Sequence, residues 1–358
     1  MPNQIEQANM PMAIGVEFNR ARIIAALVDE TGRIVVERQG EMPARSTRAA
    51  VATMTKLMLE LAATPERGAS RISSIGLAAD GLVDSQTGRV TIAELKGWTR
   101  FPVLQLVEAA LADSGHDVRT PANRRSARAE KTTSPHPAMA IHPRLAAIAA
   151  GEAWRGAARG KANVVYLSLD DSMSVGILAN GRAISGASGH AGQVAWMALQ
   201  REFKNEYAAR GCLAAEAGAQ AFARHAIEEW SGIADSLLGG LIKSDPMAID
   251  AAMILRSAQG GDELAVKVTG EISRWIGRSV ANLITILNPD AIVIGGPIGA
   301  MLKPHLDEIR EEARRWASPE TGRHCKITSA ALGEKAAVIG AARLSSLARL
   351  VRDPLSLN

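Results

Sequence analysis

A chain of 358 residues, 47% of them hydrophobic and 22% charged, is long enough for two domains with sizeable cores and has the composition of a folded globular protein. With 41 Lys and Arg against 37 Asp and Glu, the net charge of +4 is too mild to imply direct contact with nucleic acid. No run approaches the ~18 uninterrupted apolar residues of a membrane span, the polar start lacks a signal pattern and two cysteines make no disulfide framework, so a cytoplasmic protein without membrane contact is expected.

After a tail at 1–12 expected to be disordered, residues 13–16 and 22–28 read as strands, and Glu30-Thr31-Gly32 turns into a third strand at 33–38. Val51, Met54, Leu57, Met58 and Leu61 recur at helical spacing and predict a helix over 47–62. A buried-type strand at 73–78 and an amphipathic helix at 102–114 complete one α/β lobe, placed at 13–118. The segment 119–142 breaks the pattern. It carries Arg119, Arg124, Arg125, Arg128 and Lys131, then Thr-Thr-Ser-Pro-His-Pro, and reads as an exposed basic insertion without the interleaved aromatics that stack nucleic-acid bases. From 143 to 333 the α/β pattern restarts. Strands at 164–169 and 175–178 precede Asn180-Gly181, a strong hairpin signal; helices fill 214–288; a last strand at 291–294 opens onto Gly295-Gly296; a helix at 334–350 closes the chain.

The run Gly186-Ala187-Ser188-Gly189-His190-Ala191-Gly192-Gln193-Val194-Ala195-Trp196 carries the clearest resemblance. Ile14-Gly15-Val16-Glu17, the stretch from Gly76 to Asp84, Lys96-Gly97-Trp98, the stretch from Leu287 to Gly296, and Ala331-Leu332-Gly333 stand in register with it. From Ala13 to Leu344 the chain resembles the ROK family (repressors, open reading frames and kinases). That resemblance implies a two-lobed, actin-like sugar-kinase fold of the ribonuclease H-like type, with ligands in the interlobe cleft, the closing helix returned to the first lobe, and a homodimer.

The same comparison exposes departures at the chemistry. A phosphoryl transferase needs glycine-rich amides around phosphate, a metal-binding carboxylate, and a base on the attacking hydroxyl. The family's Asp-x-Gly-Gly-Thr hairpin reads Glu17-Phe18-Asn19-Arg20-Ala21, and its Gly-Thr-Gly-x-Gly turn reads Asp170-Asp171-Ser172-Met173-Ser174-Val175-Gly176. Anchored on Gly151-Glu152-Ala153-Trp154, the family's catalytic Asp falls on Arg144; a small gap gives His142, and alignment from Val118 gives Asn123. Only His142 can act as a base near neutral pH. The zinc ligands of the family are reduced to Cys212, with Trp196 in place of the His, so no zinc is expected.

Sugar-facing chemistry survives better. Glu94, Trp98, His190, Gln193 and Trp196 are the candidate ligand-binding residues; Glu17, Gly295 and Gly296 are the nucleotide-side candidates. The expectation is a catalytically silent sugar-kinase-like protein that binds a sugar or sugar phosphate in the cleft as a regulator or sensor. The alternative is an ATP-dependent sugar kinase with an altered site, the one case in which ATP and Mg²⁺ are cofactors. Only about a dozen residues precede the first strand, fewer than the helix-turn-helix of the family's repressors needs, so no direct DNA contact is expected.

Overall fold

The computed structural model describes residues 11–68, 70–115, 118, 137–170, 172–230 and 236–352. The chain divides into two compact units, one from Met1–Gly160, Gly176–Ala191 and Leu332–Asn358, the other from Lys161–Val175 and Gly192–Ala331.

In the first unit β1 (Met12–Phe18), β2 (Arg22–Val28) and β3 (Ile34–Glu41) form an antiparallel meander. Beyond β1 lie β4 (Ile72–Ala79) and then β7 (Ala138–Pro143), both parallel, giving the order β3-β2-β1-β4-β7. Helix α1 (Thr47–Ala62) starts where the Ser46 hydroxyl accepts from the Ala49 amide at 3.1 Å. Its stripe of Val51, Met54, Leu57, Met58 and Leu61 is buried in one core with Ile14, Val16, Ile75 and Leu77 of the sheet, as the helical spacing predicts. Each such side chain contributes about 1.5–3 kcal/mol on burial. The small hairpin β5 (Leu82–Asp84) and β6 (Arg89–Thr91) and helix α2 (Val103–Asp113) follow β4; α3 (Arg144–Trp154) follows β7 directly.

In the second unit β8 (Val164–Ser168), β11 (Ala291–Gly295) and β12 (Lys326–Ser329) run parallel. Between β8 and β11 the chain passes through the hairpin β9 (Ser174–Ala179) and β10 (Arg182–Ala183), grouped from Gly176 onward with the first unit, and, among the described residues, six helices: α4 (Tyr207–Arg210), α5 (Cys212–Ala217), α6 (Ala219–Glu229), α7 (Leu237–Ser244), α8 (Ala251–Gln259) and α9 (Glu263–Leu287). The hairpin turn has positive φ at both Asn180 (51°) and Gly181 (73°), as its sequence predicts. Helices α10 (Gly296–Met301), α11 (Leu306–Trp316) and α12 (Pro319–His324) lead to β12, and α13 (Ala336–Arg352) closes the chain in the first unit. There α13 packs on β1, β4 and α3, close enough that a Cβ at Gly15 or Gly76 would strike the carbonyls of Val338 and Ala341.

Three boundaries differ from the sequence reading. Met12 already belongs to β1, its amide donating to the Arg71 carbonyl at 2.8 Å; residues 1–10 lie outside the described residues. The basic insertion placed at 119–142 ends in a strand: Ala138 to Pro143 pair in register with Ser74 to Ala79, the short apolar alternation outweighing the flanking prolines. Residues 119–136 are outside the described residues. The division falls after Gly160 rather than at 142, because α3 packs against α13 and stays with the first unit.

Candidate functional site

Strand β1 carries Glu17 into the first unit's interior, opposite Ala78 of β4, which is itself opposite His142 of β7. Glu17 is 1% exposed. One residue past β7, α3 begins with Arg144, and its Nε lies 2.5 Å from Glu17 Oε1. A second pair, Arg22 to Glu334 at 2.9 Å, adds to the field of the first. One of the three positions that align with the family's catalytic carboxylate, Arg144, is therefore a guanidinium, which cannot accept a proton. It is spent on neutralising the one carboxylate of the hairpin expected to face phosphate.

The two loops that align with the family's phosphate loops carry local side-chain caps. Asn19 Oδ1 accepts from the Ala21 and Arg22 amides at 2.8 and 3.0 Å, and Phe18 is buried against Trp98 with ring centroids 5.8 Å apart. In the second loop Asp170 Oδ1 accepts from the Ser172 amide at 2.9 Å, while Asp171 is outside the described residues. The amides of Ala21, Arg22 and Ser172 are thus already bonded to side-chain oxygens of their own loops. Gly295 and Gly296 end β11 and open α10. Gly296 has φ +83°, and a Cβ there would lie 2.7 Å from the Leu169 carbonyl, so close packing accounts for it. The Gly151-Glu152 motif is a clasp: Glu152 Oε1 accepts from the Leu332 amide at 2.9 Å and Oε2 from the Ala157 amide at 2.7 Å.

His142 is on β7 rather than on a solvated loop. Burial pushes its pKa down to about 4, so it stands neutral at pH 7 and is a weak base there, which corrects its candidacy as general base. Its Nε2 is buried without a protein hydrogen-bond partner. Asn123 is outside the described residues.

Of the five candidate sugar contacts, Glu94, Trp98 and His190 belong to the first unit and Gln193 and Trp196 to the second. A cavity of about 960 Å³ within the first unit is lined by Ser85, Arg89, Arg100, His142, Arg182 and His190, among others. His190 is exposed there, its Nδ1 donating to the Ser188 carbonyl at 2.9 Å. Trp98 is fully buried between Phe18 and Phe101 and presents no face to a ligand, a correction that follows from the low aromatic content: the core takes the largest side chain available. Glu94 and Gln193 are exposed and line neither cavity, and Trp196, half exposed, lines a separate cavity of about 420 Å³ in the second unit with Phe203, Tyr207 and Cys212. Sequence reasoning missed Ser85 and the three arginines, since the hairpin β5–β6 and strand β10 bring them together only in three dimensions.

Behind Trp196 and Cys212 sits an ionic knot. Glu216, 2% exposed, accepts from Lys204 Nζ at 2.6 Å, from Arg224 Nη2 at 2.9 Å and from the Tyr207 hydroxyl. Burial pushes the Glu216 carboxyl up, but these three bonds outweigh it and hold the pKa at about 2. Among the described residues no three His, Cys, Asp or Glu side chains cluster so as to hold a metal ion, and no helix is long and apolar enough to cross a membrane.

The family model described as the ROK family matches residues 139–347. Glucokinase of Halalkalibacterium halodurans is 28% identical over 333 residues, covering 91% of this chain and 92% of its own. The DNA-binding transcriptional repressor Mlc of Escherichia coli is 22% identical over 330 residues, covering 92% of this chain and 74% of its own. A ROK family glucokinase from Streptomyces griseus, solved in complex with glucose and AMPPNP, superposes with a TM-score of 0.65 at 25% identity over 94% of this chain and 99% of that one. With motifs, strand order and these likenesses in agreement, the chain belongs to the ROK family.

Proposed function

We propose that this protein is a catalytically silent ROK protein that binds a sugar or sugar phosphate as a sensor or regulator, as a homodimer and without zinc. The observation that carries the reading is the Glu17–Arg144 ion pair, which ties the expected base position to the expected nucleotide-side carboxylate. Capping of the hairpin amides by Asn19 points the same way. The ligand class rests on the likeness to a glucokinase solved with glucose and on His190 in the lining of the first unit's cavity.

The second reading, an ATP-dependent sugar kinase with an altered site, draws on the likeness to a glucokinase across 91% of the chain. Purified protein is to be incubated with glucose and Mg-ATP in an ADP-release assay, alongside thermal shifts with sugars, sugar phosphates and Mg-ATP. A ligand that binds only the folded state raises Tm by mass action. The expected result is a rise with a sugar-type ligand, none with Mg-ATP, and no sugar-dependent ADP. Sugar-dependent ADP release would overturn the silent reading in favour of the kinase. Sedimentation at micromolar concentration is expected to give twice the chain mass.

A further inference from the structure

The cavity of the first unit carries more charge than a seat for a neutral sugar requires. Arg89, Arg100 and Arg182 line it against a single carboxylate, Asp84. That carboxylate is already engaged, Oδ1 accepting from the Gln86 and Thr87 amides at 3.1 Å each and Oδ2 from the Thr87 hydroxyl at 2.6 Å. Arg182 is exposed on β10 and makes no ion pair among the described residues.

The wall is also built, not merely exposed. Arg100 holds a left-handed backbone, φ +49°, rare for a long side chain. It is kept there by Arg89 Nη1, which donates to the Arg100 carbonyl at 2.8 Å, and by the Thr91 hydroxyl, which accepts from its amide at 2.9 Å. A strained residue held by its neighbours is the kind of feature that marks a ligand clamp. Two further polar atoms on the same wall, Ser85 Oγ and His142 Nε2, are buried with no protein partner. Buried polar atoms of this kind want a hydrogen-bonding guest. Because His142 stands neutral, it offers such a guest a hydrogen bond rather than a charge.

We infer that this cavity selects the phosphorylated form of a sugar, with Arg182 and Arg100 holding the phosphate and Ser85, His142 and His190 meeting the hydroxyls. The inference rests on the sugar-binding reading above and deepens it. A volume of about 960 Å³ accommodates a hexose phosphate. Arginine suits the phosphate because its fork presents paired donors to an anion.

The test is calorimetric titration of the full chain with glucose 6-phosphate, glucose and inorganic phosphate, repeated with Arg182→Gln and with His142→Gln. The wild type is expected to bind glucose 6-phosphate at least tenfold more tightly than either glucose or phosphate. Arg182→Gln is expected to lose tenfold or more of that affinity and leave the glucose signal unchanged, since one charge-assisted bond to phosphate is removed. His142→Gln, still a neutral donor and acceptor, is expected to weaken glucose and glucose 6-phosphate together. Equal affinity for glucose and glucose 6-phosphate, unaltered by Arg182→Gln, would overturn the phosphate selection and leave the silent sensor standing. Binding of inorganic phosphate as tight as that of glucose 6-phosphate would overturn the sugar half of the inference. Binding of none of the three would overturn it entirely, whereas ADP release bears only on the silent reading.

Discussion

Glu17 is nearly inaccessible, and among the described residues its Oε2 has no partner and only the Arg144 guanidinium balances its charge by direct contact. Removing one member of such a pair strands the other, which costs several times more than the pair contributes. Arg144→Met is therefore expected to lower stability by about 2–4 kcal/mol, while Glu17→Met combined with Arg144→Met is expected to cost less than the sum of the single changes. Urea denaturation of the four proteins measures the coupling, and strict additivity would show the pair to be incidental. Arg144→Asp is expected to be both less stable and inactive, because it sets a second carboxylate against Glu17. At this scale the sequence made the substitutions visible but not their meeting. Glu17 and Arg144 are 127 positions apart, and only the register of β1, β4 and β7 brings them together. His142 and Trp98 were misjudged for a related reason: neither a proline neighbour nor a loop-like motif reports how deeply a side chain is buried.

The elements themselves were legible where local chemistry is strong: the stripe of α1, the Asn180-Gly181 turn, and the alternating strands β1 and β2. What periodicity could not read is the seam between α13 and the elements it covers. A Cβ at Gly340 would collide with the Ala147 carbonyl in α3, and one at Gly151 with the Ala336 carbonyl in α13. Backbone atoms on both sides leave no side chain free to yield. Gly340→Ala is accordingly expected to destabilise by about 3 kcal/mol despite the better helix propensity of alanine. Gly240→Ala in α7, where nothing lies within 4 Å of the added methyl, is expected to be neutral or to stabilise by up to about 1 kcal/mol. The pair of urea midpoints separates close packing from propensity. Equal midpoints would mean that α13 shifts to accommodate the methyl.

For the molecule as a whole, Trp196 and a lone Cys212 stand where the family's zinc ligands fall, and on the proposed zinc-free reading the stability of that region comes from elsewhere. Glu216 supplies it. Its carboxyl, ordinarily near 4.5, is depressed to about 2 in the folded protein by bonds that unfolding breaks. A depressed acid contributes stability that is present above the unfolded value and lost as pH falls toward the folded one. At pH 7 the contribution is up to about 3 kcal/mol, since each pKa unit corresponds to about 1.4 kcal/mol. Glu216→Gln is expected to lose most of that at pH 7, and its deficit relative to the natural chain is expected to shrink between pH 4.5 and 2. A chelator is expected to leave the melting temperature of the natural chain unchanged, because Lys204, Tyr207 and Arg224 bind the carboxylate without a metal. A fall in Tm on chelation, or a deficit in Glu216→Gln that persists unaltered to pH 2, would place the stabilising interaction outside this knot.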